Sequence, residues 1–251
     1  MKKYIASLLL IMSSTLYSPI TTPYSKEIDA IIFDCDGVLV DTEYLKFLAW
    51  KEALAVHSID YTIEEYMPAV GHSSKNILIL IQAQKGIAIA DSVIEHKNEL
   101  YKALQKKGVP PIDAMITFTK TLSDARHSLG IKLGLASSAP NEEIMQNLKQ
   151  IGLENAFDLV ISGSDDLDEY EDIEGKNKPK PYIYIEAAKR LNVDPAKCLV
   201  FEDTTAGIEA AYFAGMIALA VPNQFTLQQD FSKATEVIHK HTNLPTLTKK
   251  N

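Results

Sequence analysis

The chain has 251 residues with 25 basic and 33 acidic side chains, a formal charge of −8 and 46% hydrophobic residues. That apolar content excludes a disordered chain, and only 11 Gly and 11 Pro exclude a collagen-like one, so the length implies one or two domains around a real core. The acidic balance argues against nucleic acid as a partner, because binding phosphates needs clustered Lys and Arg.

Residues 1–18 run from Lys2 and Lys3 through the apolar stretch Ile5 to Met12 into Ser13, Ser14 and Thr15. This is the order of a secretory signal, and the apolar stretch is far shorter than the roughly 20 residues a bilayer crossing needs. No membrane span is expected. Export, to a periplasm for instance, is the favoured location, against a cytoplasmic chain in which the segment is a plain extension or Met12 is the true start. Residues 1–27 are therefore set aside as a signal-like or disordered extension.

From Ile28 onward, short apolar runs alternate with helical periodicity, the pattern of crossover units and a parallel sheet covered on both faces. The expected strands are Ala30 to Phe33, Lys132 to Ala136, Leu159 to Ile161, Cys198 to Phe201 and Ile217 to Val221. Core helices are marked by Met115, Phe118, Leu122, Ala125 and Leu129, by Ile144, Leu148 and Ile151, and by Ile183, Ala187, Ala188 and Leu191, the last ended by Asn192 and Pro195. Between about Glu43 and Gly108 the alternation stops. Leu45, Leu48, Ala49, Ala53 and Val56 form a helical stripe, and the apolar run Ile77 to Ile81 continues into the helix formers Gln82 to Lys85. This is an inserted helical domain over 43–108, with the core made of 28–42 and 109–251. The segment Asp165 to Glu174, with seven acids in ten residues, reads as a solvated loop. Cys35 and Cys198 lie in apolar segments, which excludes a disulfide framework and suits inert buried thiols.

The chemistry lies where strands end. Phe33-Asp34-Cys35-Asp36-Gly37 places two carboxylates two residues apart, and like charges so close call for a hard cation or a shared proton. A plain Asp-Gly turn is the simpler alternative. Ser137 and Ser138 end the second strand, where a hydroxyl and backbone amides can donate to a phosphoryl oxygen, although Ser137 can equally cap the helix near Asn141. Lys178-Pro179-Lys180-Pro181 opens another helix, and a lysine there either neutralises phosphate or simply faces water. Glu202-Asp203-Thr204 follows a further strand, with helix capping as its simpler role. In an open parallel sheet all these strand ends share one edge, where ligands bind. Two acidic pairs, a hydroxyl and a lysine together suit metal-assisted phosphoryl transfer.

With these motifs in place, the chain resembles the haloacid dehalogenase superfamily, in particular its beta-phosphoglucomutase-like phosphatases. The likeness covers about Ile28 to Ile238 and rests on Asp34 to Thr42, Ser137, Lys178 to Pro181, and Glu202 to Gly207. It implies a Rossmann-like parallel-sheet core with an inserted α-helical cap. It also implies that Asp34 is the nucleophile and Asp36 the general acid/base, and that Ser137, Ser138 and Lys178 hold the phosphoryl group. Mg²⁺ would be bound by Asp34, the Asp36 carbonyl and Asp203, with Glu202 assisting. Lys46, His72, Ser74 and Lys75 are the candidates for specificity in the cap. The chain departs from the family at Tyr182, where an Asp is usual, in its longer acidic loop, and at Lys46 and Ser74, where the mutase has a histidine and an arginine.

The carboxylate at Asp36 favours phosphoester chemistry, since it supplies a proton for a departing alkoxide. The expected activity is Mg²⁺-dependent hydrolysis of a small phosphorylated metabolite, a sugar phosphate above all. A phosphomutase and a non-catalytic phosphate-binding module are the alternatives.

Overall fold

A computed structural model of the chain describes residues 27–173 and 175–239, together with 20–21, 244–245 and 248–249. A short antiparallel sheet joins β1 (Ile20–Thr21) to β2 (Glu27–Ile28) on one side and to β9 (Thr248–Lys249) on the other. Part of the expected N-terminal extension over 1–27 is therefore paired. The export signal expected in residues 1–18 lies outside the described residues. Within the described residues no helix is long and apolar enough to cross a membrane.

The main sheet comprises β3 (Ala30–Phe33), β4 (Lys132–Ser137), β5 (Leu159–Ser162), β6 (Cys198–Glu202), β7 (Ile217–Ala220) and β8 (Glu236–Val237). Their order is β5-β4-β3-β6-β7-β8, with every pairing parallel. The strands sit where the apolar runs place them, and three of them continue one residue further, to Ser137, Ser162 and Glu202. β8 escaped the sequence reading because two residues carry no alternation to detect.

Both faces of the sheet are covered, which is why its strands are apolar throughout. Ile31, Phe33, Leu133, Leu135, Leu199 and Phe201 pack against α5 (Asp113–Leu129) and α6 (Asn141–Gln150), with Phe33 stacked on Phe201 at 5.1 Å. Ala30, Ile32, Ala136 and Val200 face α7 (Tyr182–Leu191) and α8 (Thr205–Phe213), where small residues let the helices approach.

The inserted region holds α1 (Glu43–Ala55), α2 (Ile63–Tyr66), α3 (Ser74–Lys85) and α4 (Ser92–Lys107). Ile77 to Ile81 is helical, as its flanking residues predict. Of the stripe expected on α1, Ala49 and Ala53 are buried and Leu45 and Leu48 are half-buried against the core, whereas Val56 lies beyond the helix and is 62% exposed. Phe47, Trp50 and Leu54 are buried besides, and the two aromatic rings add the larger apolar area. Their cluster takes in Tyr61, Tyr66, Ile77 and Ile81, and also Phe225, contributed from the loop after β7.

The acidic segment is not merely solvated. Asp165 accepts the Asn141 N–H at the start of α6, Asp166 accepts the Ser162 N–H and pairs with Arg190, and Asp172 accepts the Tyr182 hydroxyl. Two departures from the family pattern, Tyr182 and the longer loop, thus meet in one hydrogen bond of 3.0 Å. Glu174 falls outside the described residues.

Candidate active site

Asp34 leaves β3 with its N–H donating to the Phe201 carbonyl, so the sheet itself aims the side chain at the carboxyl edge. There Lys178 extends in from ahead of α7, its ammonium 2.6 Å from Asp34 Oδ1, 2.6 Å from Glu202 Oε1 and 3.1 Å from the Ala136 carbonyl. All three of its protons have acceptors. The lysine is therefore a fixed cation and not a surface residue. Burial works against its charge, but Asp34 and Glu202 outweigh burial and hold the ammonium well above its usual range.

Glu202 is almost fully buried, and besides Lys178 it accepts from the Tyr184 hydroxyl at 2.7 Å and the Asp203 N–H at 3.1 Å. Gly207 makes room for it: a Cβ there would stand 1.9 Å from the Glu202 carboxyl carbon. Its bonds make Glu202 chiefly the partner that positions Lys178.

Asp203 is different. Its Oδ2 accepts from the Asn223 amide at 2.8 Å, whereas its buried Oδ1 has no hydrogen-bond partner among the described residues. Gly37 lies against it with φ +86°, and a Cβ at Gly37 would meet Asp203 Oδ2 at 2.1 Å. The Asp-Gly pair thus forms a turn and also yields space to a carboxylate. Thr204, not Asp203, caps α8 by accepting from the Gly207 N–H.

Asp34, Glu202 and Asp203 offer oxygens within 4.8 Å of one another. Three carboxylates against one ammonium leave an excess of negative charge in a dry place, which is costly unless a cation or protons offset it. Burial pushes the Asp34 carboxyl up to about 7, with Lys178 opposing and Glu202 and Asp36 adding to the shift. Burial, then Glu202 and Asp34, raises Asp203 well above the usual carboxylate range. Hard oxygen donors, surplus negative charge and an unpartnered buried oxygen fit a divalent cation such as Mg²⁺.

Asp36 is brought to the same cleft, its Oδ1 taking the Thr42 hydroxyl and lying 3.9 Å from the Lys46 ammonium. Lys46 in turn donates to Glu43, a buried acid on the first turn of α1 that also accepts from Tyr66. The cleft between sheet edge and cap, about 610 Å³, is lined by Asp36, Glu43, Lys46 and Tyr66 and by Ser137, Ser138, His72 and Ser74. Ser137 does not cap α6: the residue before that helix is Pro140, and the Ser137 oxygen accepts from the Ala139 N–H. Lys75 is exposed and does not line the cleft, because the residue after Ser74 points about 100° further round α3. Cys35 is buried, and burial with Asp36 and Asp34 beside it raises its thiol well above the ordinary range, which suits an inert thiol.

Two cleft residues escaped the sequence reading. Lys97 is 7% exposed, lines the cleft, and donates to Ser74 Oγ at 3.4 Å and Asn98 Oδ1 at 3.2 Å, with the Trp50 and Tyr101 rings 5.7 and 5.5 Å away. Burial, with Lys46 adding to it, lowers its ammonium to about 8. Its signal was present: Val93, Lys97, Tyr101 and Gln105 recur every four residues, so a lysine stands on the buried stripe of α4. Glu143 on α6 lines the cleft from the core side, raised by burial and Asp36.

A parallel sheet with a lysine and three acids at its carboxyl edge, closed by a helical insertion, defines a capped α/β enzyme acting on an anionic substrate. The chain belongs to the haloacid dehalogenase-like hydrolases, whose family model matches residues 31–221. It is 35% identical over 196 residues to a phosphorylated carbohydrates phosphatase of Thermotoga maritima, over 75% of this chain and 82% of the relative. A beta-phosphoglucomutase of Bacillus subtilis is 32% identical over 76% of this chain and 82% of its own. Among solved structures, beta-phosphoglucomutase from Clostridium difficile superposes with a TM-score of 0.66 at 29% identity, over 86% of this chain and 93% of that one. The expected export signal lies outside the residues that the family model matches.

Proposed function

We propose that the protein is a phosphatase of small phosphorylated carbohydrates that works through an aspartyl-phosphate on Asp34. The observation that carries this reading is Lys178, held between Asp34 and Glu202 beside the Asp203 oxygen that has no partner among the described residues, on the floor of the cleft. Two of the relatives, named a phosphorylated carbohydrates phosphatase and a beta-phosphoglucomutase, share this substrate chemistry.

Asp34 attacks phosphorus while Lys178, Ser137 and Ser138 hold the phosphoryl oxygens. Asp36 gives its proton to the departing sugar oxygen and then takes one from the water that opens the aspartyl-phosphate. Thr42 fixes the Asp36 rotamer for both steps. Mg²⁺, held by Asp34, Asp203 and the Asp36 carbonyl, would offset the charge on the phosphoryl oxygens.

Hydrolysis is favoured over mutase chemistry by the roof of the cleft. A mutase must grip a second phosphate and keep water away, for which a bidentate guanidinium is suited. No arginine lines the cleft among the described residues, Ser74 accepts from Lys97, and the charge of Lys46 is balanced by Glu43 and Asp36. Incubation with hexose and pentose monophosphates and Mg²⁺ should release inorganic phosphate without a bisphosphate primer. Fast sugar isomerisation with negligible phosphate release would overturn the reading in favour of a mutase.

A further inference from the structure

Asp203 is poised by a residue that neither the acidic motifs nor the cap contains. The loop after β7, residues 222–230, is rooted at both ends of the cleft. Phe225 is inserted in the hydrophobic cluster of the cap. Gln229 accepts from the Thr205 N–H at 2.8 Å and donates to the Val70 carbonyl, just ahead of the cap loop, at 3.2 Å. Between these anchors Asn223 donates to Asp203 Oδ2 at 2.8 Å, while its own Oδ1 accepts from the Phe225 N–H at 2.9 Å and its N–H bonds Thr226 Oγ1 at 3.0 Å. The Asn223 amide therefore cannot turn over without losing its loop bond, so only its N–H₂ end faces Asp203.

We infer that Asn223 is a positioning residue for the divalent cation, clamping the Asp203 carboxylate so that Oδ1 stays directed at the cation site. This rests on the reading of the floor as a cation site. On one side of the carboxylate, Gly37 leaves a slot only because it has no Cβ; on the other, the Asn223 amide fixes the rotation that the slot permits. One oxygen is thereby hydrogen-bonded and the other unpartnered, the asymmetry expected of a ligating carboxylate with an outer-shell donor. A neutral donor suits this place: it orients the carboxylate without competing with the cation for its charge.

The test is a Mg²⁺ titration by calorimetry, with Mg²⁺-dependent thermal stabilisation alongside, on the full chain and three variants. Asn223→Ser keeps a turn acceptor for the Phe225 N–H but cannot reach Asp203; Asn223→Ala removes both bonds; Thr226→Ala loosens the loop and leaves the Asp203 bond in place. Both Asn223 variants should bind Mg²⁺ about 10- to 100-fold more weakly. Activity in Asn223→Ser should recover most of kcat at saturating Mg²⁺, and Thr226→Ala should bind Mg²⁺ within about twofold of the parent, as expected when no outer-shell donor is lost. If Asn223→Ala fails to fold, weakened binding in Asn223→Ser still supports the inference. Unchanged binding in Asn223→Ser, or an equal loss in Thr226→Ala, overturns it. A parent chain that shows no Mg²⁺ binding overturns the cation site itself, and with it the inference.

Discussion

Two buried lysines face each other across the cleft. On the floor, Lys178 has two carboxylate oxygens and a carbonyl within 3.1 Å; in the roof, the nearest acceptors of Lys97 are a neutral hydroxyl and an amide oxygen at 3.4 and 3.2 Å. The lysine of the floor is fully partnered because strand ends set its acceptors: β3, β4 and β6 run parallel and in register, so Asp34, Ser137 and Glu202 arrive on one edge together. The roof is assembled from helix faces and keeps unmet donors. Trp50 Nε1 is buried without a partner among the described residues, and Lys97 has no carboxylate in ion-pair reach there. A buried cation left so poorly compensated destabilises the free protein, so its place is better explained by a ligand than by folding. The floor is preorganised for chemistry, and on the proposed reading the roof meets the substrate.

The contrast breaks first at the floor. Asp34→Asn should abolish turnover and phosphoenzyme while leaving the circular dichroism spectrum intact, because an amide of the same shape still occupies the site. Asp36→Asn should lose about 10²- to 10⁴-fold in rate, the usual worth of a positioned acid/base, and should retain Mg²⁺ binding. Phosphoenzyme formation from a nitrophenyl phosphate should suffer less than from an alkyl phosphate; equal losses would count against Asp36 as the acid.

The roof predicts a different signature. Lys97→Met should raise KM for a sugar phosphate about tenfold with a smaller change in kcat, as befits a ground-state contact. It should also raise stability by about 1–3 kcal/mol in urea titrations, since it removes a desolvated charge. The pH dependence has a definite sign. Lys97 has its folded pKa lowered to about 8, so between there and its unfolded value the unfolded chain binds more protons, and its contribution to stability should rise with pH through that window. KM for the anionic substrate should worsen over the same range in the parent and stay flat in Lys97→Met. Smaller still is the periphery: Tyr182→Phe deletes the bond to Asp172 and should lower stability only slightly, with kcat unchanged.

The floor was legible from the chain because its residues follow apolar runs that can only be strands, and strand ends converge by topology alone. The roof was less so. Helical spacing located α1 and α3, but which residues turn inward depends on competing partners, hence the buried Phe47 and Trp50 that the α1 stripe did not include and the outward Lys75. Lys97 was hidden by the expectation that lysines face water. The acidic segment is the largely exposed loop that its charge predicts, but charge density does not reveal that Asp165, Asp166 and Asp172 meet the start of α6, Arg190 and Tyr182. Asn223 was silent because its role depends on a contact with Gly37 and Asp203, far away in the chain.

The most direct test of the central claim is acid quenching of the protein during turnover of a hexose phosphate carrying a radiolabelled phosphoryl group, with Mg²⁺ present, followed by peptide mapping. Label should appear on the peptide containing Asp34, be released by hydroxylamine, and be missing from Asp34→Asn. Rapid phosphate release with no label on that peptide, or an Asp34→Asn variant that still turns over, would contradict the account.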